Sequence, residues 1–104
     1  MINLDRLTVK SAEALQDAAN TARVAGNPVV EDLHLLDALL KQDEGIVIPI
    51  LQKVGVSVAR LREELDRGLA RLPKQTGGSQ PTISRELNEI LDLADRQARE
   101  LKDE

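Results

Sequence analysis

His34 is the chain's one histidine, set in the run Glu31-Asp32-Leu33-His34-Leu35-Leu36-Asp37. An imidazole is the side chain best suited to move protons near neutral pH, but catalysis or metal binding needs partners. The chain has no cysteine, which excludes a zinc–thiolate centre and a thiol nucleophile. No second histidine exists to share a metal. His34 therefore reads as a structural histidine, satisfied within a nearly all-apolar helix. Asp43 and Glu44 stand beside Gly45 in what reads as a solvated loop. No carboxylate is marked by its surroundings as half of an acid–base pair. No G-x-x-x-x-G-K-[ST] run occurs, so phosphate-cradling chemistry is absent. The expectation is a protein without catalytic residues, metal or cofactor, binding neither ATP nor DNA.

The elements that would position any site must pack without aromatic rings. Phe, Trp and Tyr are all missing from the 104 residues, leaving 17 Leu, 8 Val, 6 Ile and 11 Ala to fill a core. A chain of this length is one domain at most, and it is long enough to bury one core. The net charge of −4 argues against a nucleic-acid surface, which needs a basic face. Stacking platforms for single strands are missing as well. The uncharged apolar run from Ile46 to Leu51 is far too short to span a membrane. The opening residues also lack the apolar stretch of a signal peptide. The sequence implies a soluble, acidic, cytoplasmic protein.

Helical periodicity dominates. Thr8 can cap a first helix to about Ala25, with Ala14, Leu15, Ala18, Ala22 and Ala25 inward, and Gly26-Asn27-Pro28 ends it. A second helix, Glu31 to Lys41, is apolar almost all round and suits the centre of a bundle. Its acidic start and basic end suit the helix dipole. The run Ile46–Gly55 could be a buried strand or a short helix. Pro49 in a first turn and Gly55 as a stop favour the helix, with Val47, Ile50, Leu51 and Val54 on one face. Ser57 caps a fourth helix to about Leu72, with Val58, Leu61, Leu65, Leu69 and Leu72 inward and Glu63–Arg67 as an outer i,i+4 pair. Residues 73–81 read as a linker. Ser84 then caps a fifth helix, whose Leu87, Ile90, Leu91, Ala94 and Ala98 should pack back on the earlier helices.

The fifth helix repeats the first at an offset of 76 residues. Thr8 aligns with Ser84, and Leu7 with Ile83. Glu13, Leu15, Ala18, Ala22 and Arg23 align with the identical Glu89, Leu91, Ala94, Ala98 and Arg99. If the duplication is real, about 45 further residues would complete the second copy. Asp103 and Glu104 then read as the start of a loop, because acidic residues are disfavoured at a helix C-terminus.

The segments MINLDRLTVKSAEALQDA, EDLHLLDALL, VGVSVARLREEL, RLP with its Gly-Gly linker, and SRELNEILDLADRQA, in this order, resemble the N-terminal (Clp repeat) domain of the ClpB-type AAA+ disaggregase chaperones. The leucine-proline step into a Gly-rich linker is similar to the ClpB type rather than the ClpC type. One departure is Leu33 where many members carry glutamate. The resemblance implies an all-α fold of two four-helix repeats related by a pseudo-twofold. Residues 1–72 would be the first repeat, 73–83 a Gly/Pro linker, and 84–104 the first helix and loop start of an incomplete second. It implies a non-catalytic domain that helps engage unfolded or aggregated polypeptide and pass it to the ATPase ring of a hexamer. The alternative left open is a stand-alone helical adaptor docking a partner protein. It further implies a substrate-contact surface that includes Thr8 and Asp103. Thr8 also has the plain reading of a helix cap.

Overall fold

The computed structural model describes residues 8–77 and 80–103, without the side chains of Lys102 and Asp103. Among these residues it forms five helices: α1 (Val9–Ala25), α2 (Asp32–Lys41), α3 (Val47–Lys53), α4 (Val58–Ala70) and α5 (Arg85–Asp103). Thr8, in extended conformation, caps α1: its Oγ1 accepts the Ser11 amide at 3.1 Å. This satisfies one of the donors a helix start leaves open. Gly26 closes α1 in the left-handed region (φ 78°), and its N–H returns to the last turn. That position needs glycine twice over. The conformation is strained for other residues, and a Cβ there would meet the Gln75 carbonyl oxygen at 3.2 Å.

Ala14, Ala18 and Ala22 are fully buried. With no side chain beyond Cβ, they let neighbouring elements approach α1 closely. Leu15, Val30, Ala38, Leu87 and Leu91 complete the same core. Ala25, expected inward, is exposed, because the chain turns away at Gly26.

The periodicity did not anticipate two short strands, β1 (Val29–Val30) and β2 (Thr82–Ile83), paired in parallel. The Thr82 and Ser84 amides donate to the Pro28 and Val30 carbonyls at 3.1 and 2.9 Å. This clip fastens the end of the linker to the α1–α2 connection. It also delivers buried Ser84 as the cap of α5, where its Oγ accepts the Leu87 amide at 3.0 Å. Leu87 thereby enters the core with no exposed surface.

α2 is the central helix, in contact with α1, α3 and α4, but its burial inverts the sequence expectation. Its innermost residues include His34 and Asp37, while Leu33, Leu35, Leu36 and Leu39 are only half-buried. α3 forms as a short helix yet buries none of its residues fully: Val47 and Leu51 are half-covered, whereas Ile50 and Val54 face out. α4 is capped by Ser57 and anchored by buried Leu65. Its Gly68 lies so close to α2 that a Cβ would meet Leu33 Cδ1 at 3.1 Å. Arg67 pairs with Glu64 (3.3 Å) rather than Glu63. Helix α5 continues through Asp103, so Asp103 is helical rather than the start of a loop.

Candidate functional site

Two buried polar clusters tie the helices together. In the first, the Glu31 amide donates to His34 Nδ1 at 2.9 Å. That bond makes Nδ1 the acceptor and puts the ring proton on Nε2, which donates to Asn27 Oδ1 at 2.9 Å. The Asn27 amide group in turn donates to the Pro73 carbonyl at 2.9 Å. His34 is 1% exposed, and burial lowers its pKa below the ordinary 6.5, partly offset by the negative charges of Asp37 and Asp32. Both ring nitrogens are engaged and no solvent reaches them. His34 therefore joins three segments — the α2 start, the turn after α1 and the chain after α4 — and has no free lone pair for chemistry.

In the second cluster, buried Asp37 accepts from Arg62 Nη1 at 2.5 Å and from Lys41 Nζ at 3.2 Å. Arg62, from α4, also lies 3.6 Å from Asp66. The carboxylate is neutralised from two sides and sealed between α2 and α4, an arrangement that fixes helix orientation. Sequence reasoning passed over Asn27, Asp37 and Arg62. The available signal was the spacing of Asp37 and Lys41, an i,i+4 pair on an apolar helix.

The surface offers apolar contact instead of reactive groups. Ile46, Ile50 and Val54 follow one another at four-residue intervals in and around α3, and all three are exposed. A groove of about 250 Å3 runs between α2 and α5, lined by Leu35, Leu36, Leu39, Leu87 and Ile90 among others. Thr8 is exposed, and its hydroxyl also donates to Ser11 Oγ at 3.0 Å. Beside it, Lys10 Nζ donates to the Asp43 carbonyl (3.1 Å), and Gln42 Nε2 to the Lys10 carbonyl (2.7 Å). These bonds fix the start of α1 against the α2–α3 loop. Asp103 is the last residue of α5. From buried Leu91 to Asp103 is twelve residues of helix, about 18 Å. Its side chain lies outside the described residues. No described helix is long and apolar enough to cross a membrane. Among the described residues no group of three or more His, Asp or Glu side chains gathers as metal ligands would.

These features define a helical domain whose polar interior is structural and whose surface is partly aliphatic. The family model of the Clp repeat (R) N-terminal domain matches residues 6–104, and the chain belongs to that family. It is 47% identical over 98 residues to the chaperone protein ClpB of Mycobacterium tuberculosis, covering 93% of this chain. To the ClpB of Bacteroides thetaiotaomicron it is 35% identical over 103 residues, covering 99%. The chain spans 12% of the length of each of those relatives. Among solved structures, the N-domain of ClpV from Vibrio cholerae superposes with a TM-score of 0.75 at 26% identity, over 88% of this chain and 54% of that one. A chain solved in work on the coevolution of the ATPase ClpV with the TssB–TssC sheath superposes at 0.79, also at 26% identity, over 86% and 54%. The matched region is the N-terminal Clp domain and not an ATPase module.

Proposed function

We propose that this chain is the substrate-engaging N-terminal domain of a ClpB-type, ATP-dependent protein disaggregase working in the cytoplasm. It holds unfolded or aggregated polypeptide briefly and hands it to the ATPase ring of its parent hexamer. The observation that carries the reading is the 47% identity to the N-terminal part of a ClpB. The exposed aliphatic surface supports it, and so does an interior with no accessible reactive group. The duplication at an offset of 76 residues belongs to the same proposal. Thr8 and Ser84 cap their helices with the same geometry, accepting the amide three residues on at 3.1 and 3.0 Å. Residues 1–72, 73–83 and 84–104 are then a first repeat, a linker and the opening of a second. The contact surface includes Thr8 and Asp103 together with exposed Val9.

An NMR titration with a permanently unfolded model protein tests this. The shifted amides should cluster at the start of α1 and the end of α5. Thr8→Ser keeps the cap and isolates the methyl, and Asp103→Ala should weaken binding severalfold. Shifts confined to residues 73–81, with Asp103→Ala inert, would remove the site assignment. The likeness to the ClpV N-domain favours one second reading, an adaptor docking a folded partner. Under that reading, unfolded polypeptide produces no saturable shifts at all.

A further inference from the structure

We infer that the free edge of β1 is a further contact for unfolded polypeptide. An extended client segment adds there as a third strand beside Val29 and sets one aliphatic side chain in the adjoining pocket. The inference rests on the proposed function for its client and on the β1–β2 ladder for its place. The Thr82 amide donates to the Pro28 carbonyl and the Ser84 amide to the Val30 carbonyl, with Val29 opposite Thr82 and Val30 opposite Ile83. In a parallel ladder alternate residues turn both main-chain groups towards one neighbour, and the residues between turn theirs the other way. Val30 and Thr82 take the inward places here, so the N–H and C=O of Val29 point away from β2. No group among the described residues bonds to either. One residue of an extended chain answers both at once, accepting from the N–H and donating to the C=O.

Beside this edge lies a pocket of about 160 Å3, lined by Asn27, Pro28, Val29, Glu31, Leu72 and Pro73. A cavity of roughly that size holds a benzene ring, so one leucine or isoleucine side chain fits. The Asn27 side chain is spent on Pro73 and His34, and the Glu31 amide on His34, which leaves the pocket mainly apolar contact to offer. The edge is also held in place. The Gln75 amide donates to the Gly26 carbonyl at 2.7 Å, and Val30 is 1% exposed, so a client meets a preformed strand and loses less on binding. Every lining residue belongs to the first repeat. By the repeat relation a second copy of α2 would lie over Ile90, Ala94 and Ala98 of α5, the counterparts of buried Ala14, Ala18 and Ala22, and not over this edge. One paired residue and one seated side chain make a small contact. The dissociation constant is therefore on the order of hundreds of micromolar, and linked copies make it useful.

Amide hydrogen exchange and an NMR titration of the 104-residue chain test the inference, with the end-blocked peptide Ser-Thr-Val-Leu-Val-Thr-Ser as probe. In the free chain the Val29 amide should exchange freely and the Val30 amide should be protected. At millimolar peptide the Val29 amide should shift and its exchange should slow about fivefold, with the Glu31 and Leu72 amides shifting alongside. Val29→Pro deletes a donor that the fold itself does not use, and proline is tolerated on an edge strand. It should weaken binding, read at Glu31 and Leu72, about fivefold, the worth of one net hydrogen bond, whereas Val29→Thr keeps the affinity. If Val29→Pro fails to fold, the exchange of Val29 in the unaltered chain decides. A Val29 amide already protected in the free chain, or unmoved at saturation, overturns the inference, as does a folded Val29→Pro that binds equally well. Exchanging the central leucine of the peptide for glycine without loss of affinity overturns it too. Saturable binding of unfolded polypeptide at the start of α1 with no response at Val29 removes this inference alone, and no saturable binding anywhere removes the proposed function with it.

Discussion

Arg62 and Asp37 form one ion pair, yet removing either should have unequal consequences. The Asp37 side chain is 3% exposed, while Arg62 is 29% exposed and has Asp66 within 3.6 Å. Arg62→Met deletes the guanidinium and leaves a buried carboxylate held by Lys41 alone, whose own side chain is 65% exposed. Breaking a buried pair in this way costs about 3–5 kcal/mol, and the surviving Lys41 contact trims that to about 2–4 kcal/mol. Asp37→Asn keeps the shape and one acceptor oxygen. Arg62 keeps Asp66 and reaches water, so the loss is that of a charged hydrogen bond, about 1–2 kcal/mol. With both partners changed, no buried charge remains to be compensated. The double variant should therefore cost less than the sum of the singles by at least about 1 kcal/mol. Urea denaturation followed by circular dichroism measures all four chains. Each kcal/mol should also move the thermal midpoint by roughly 4–8 °C for a domain of this size. If Asp37→Asn proves as damaging as Arg62→Met, or if the two effects simply add, then the pair is not buried in the way described.

The neutral, enclosed state of His34 makes stability depend on pH. Its folded pKa lies below 6.5, so on acidification the unfolded chain takes up the proton first. Stability is fully present above about pH 7, falls as pH drops through 6.5 towards the folded pKa, and loses nothing more from this group below it. His34→Gln should flatten that part of the profile in denaturation series between about pH 8 and pH 5, and an unchanged slope would contradict the assignment. On α5, Leu87→Ala should cost about 3–4 kcal/mol, because Leu87 has no exposed surface. Ile90→Ala, 46% exposed, should cost below about 1 kcal/mol. Comparable losses at the two positions would show that α5 packs through a different face.

The helices were legible because each has local signals at its ends. Thr8, Ser57 and Ser84 cap as their hydroxyls suggest, Gly26 stops α1, and Pro49 sits in the first turn of α3. The parallel clip between Val29–Val30 and Thr82–Ile83 was not legible. A two-residue strand has no period to detect, and its partner lies some fifty residues away. The inverted burial of α2 escaped for a related reason. Hydropathy ranks Leu35 and Leu36 above His34 and Asp37. The fold buries the polar pair because Asn27, Arg62 and Lys41 arrive from elsewhere in the chain or the next turn to satisfy them. Of the two site residues, Thr8 is seen in its capping role, and Asp103 is placed at the end of α5. Their proposed roles in binding rest on the family resemblance alone, and neither residue carries a local pattern that would have singled it out as a site.

An aromatic-free interior has consequences at the surface. With alanines along α1, the core around α1, α2 and α5 closes at short range and has little room for the larger aliphatics. These are left half-covered in the α2–α5 groove or exposed along α3. Orientation of the helices then falls to directional bonds, the His34–Asn27–Pro73 chain and the Asp37–Arg62 pair, because aliphatic contacts alone tolerate sliding. The exposed aliphatics can meet many sequences but grip none tightly. Tight interfaces are dominated by buried Trp, Tyr and Arg anchors, and the two aromatic types are absent here. A flexible client would also lose chain entropy on being held. Single-site affinity for unfolded polypeptide should accordingly be micromolar or weaker, with useful capture supplied by multiple linked copies. Under the proposed function such a domain would need to let its client go, and this division between a polar-pinned interior and an aliphatic exterior would give it that weakness without loosening the fold.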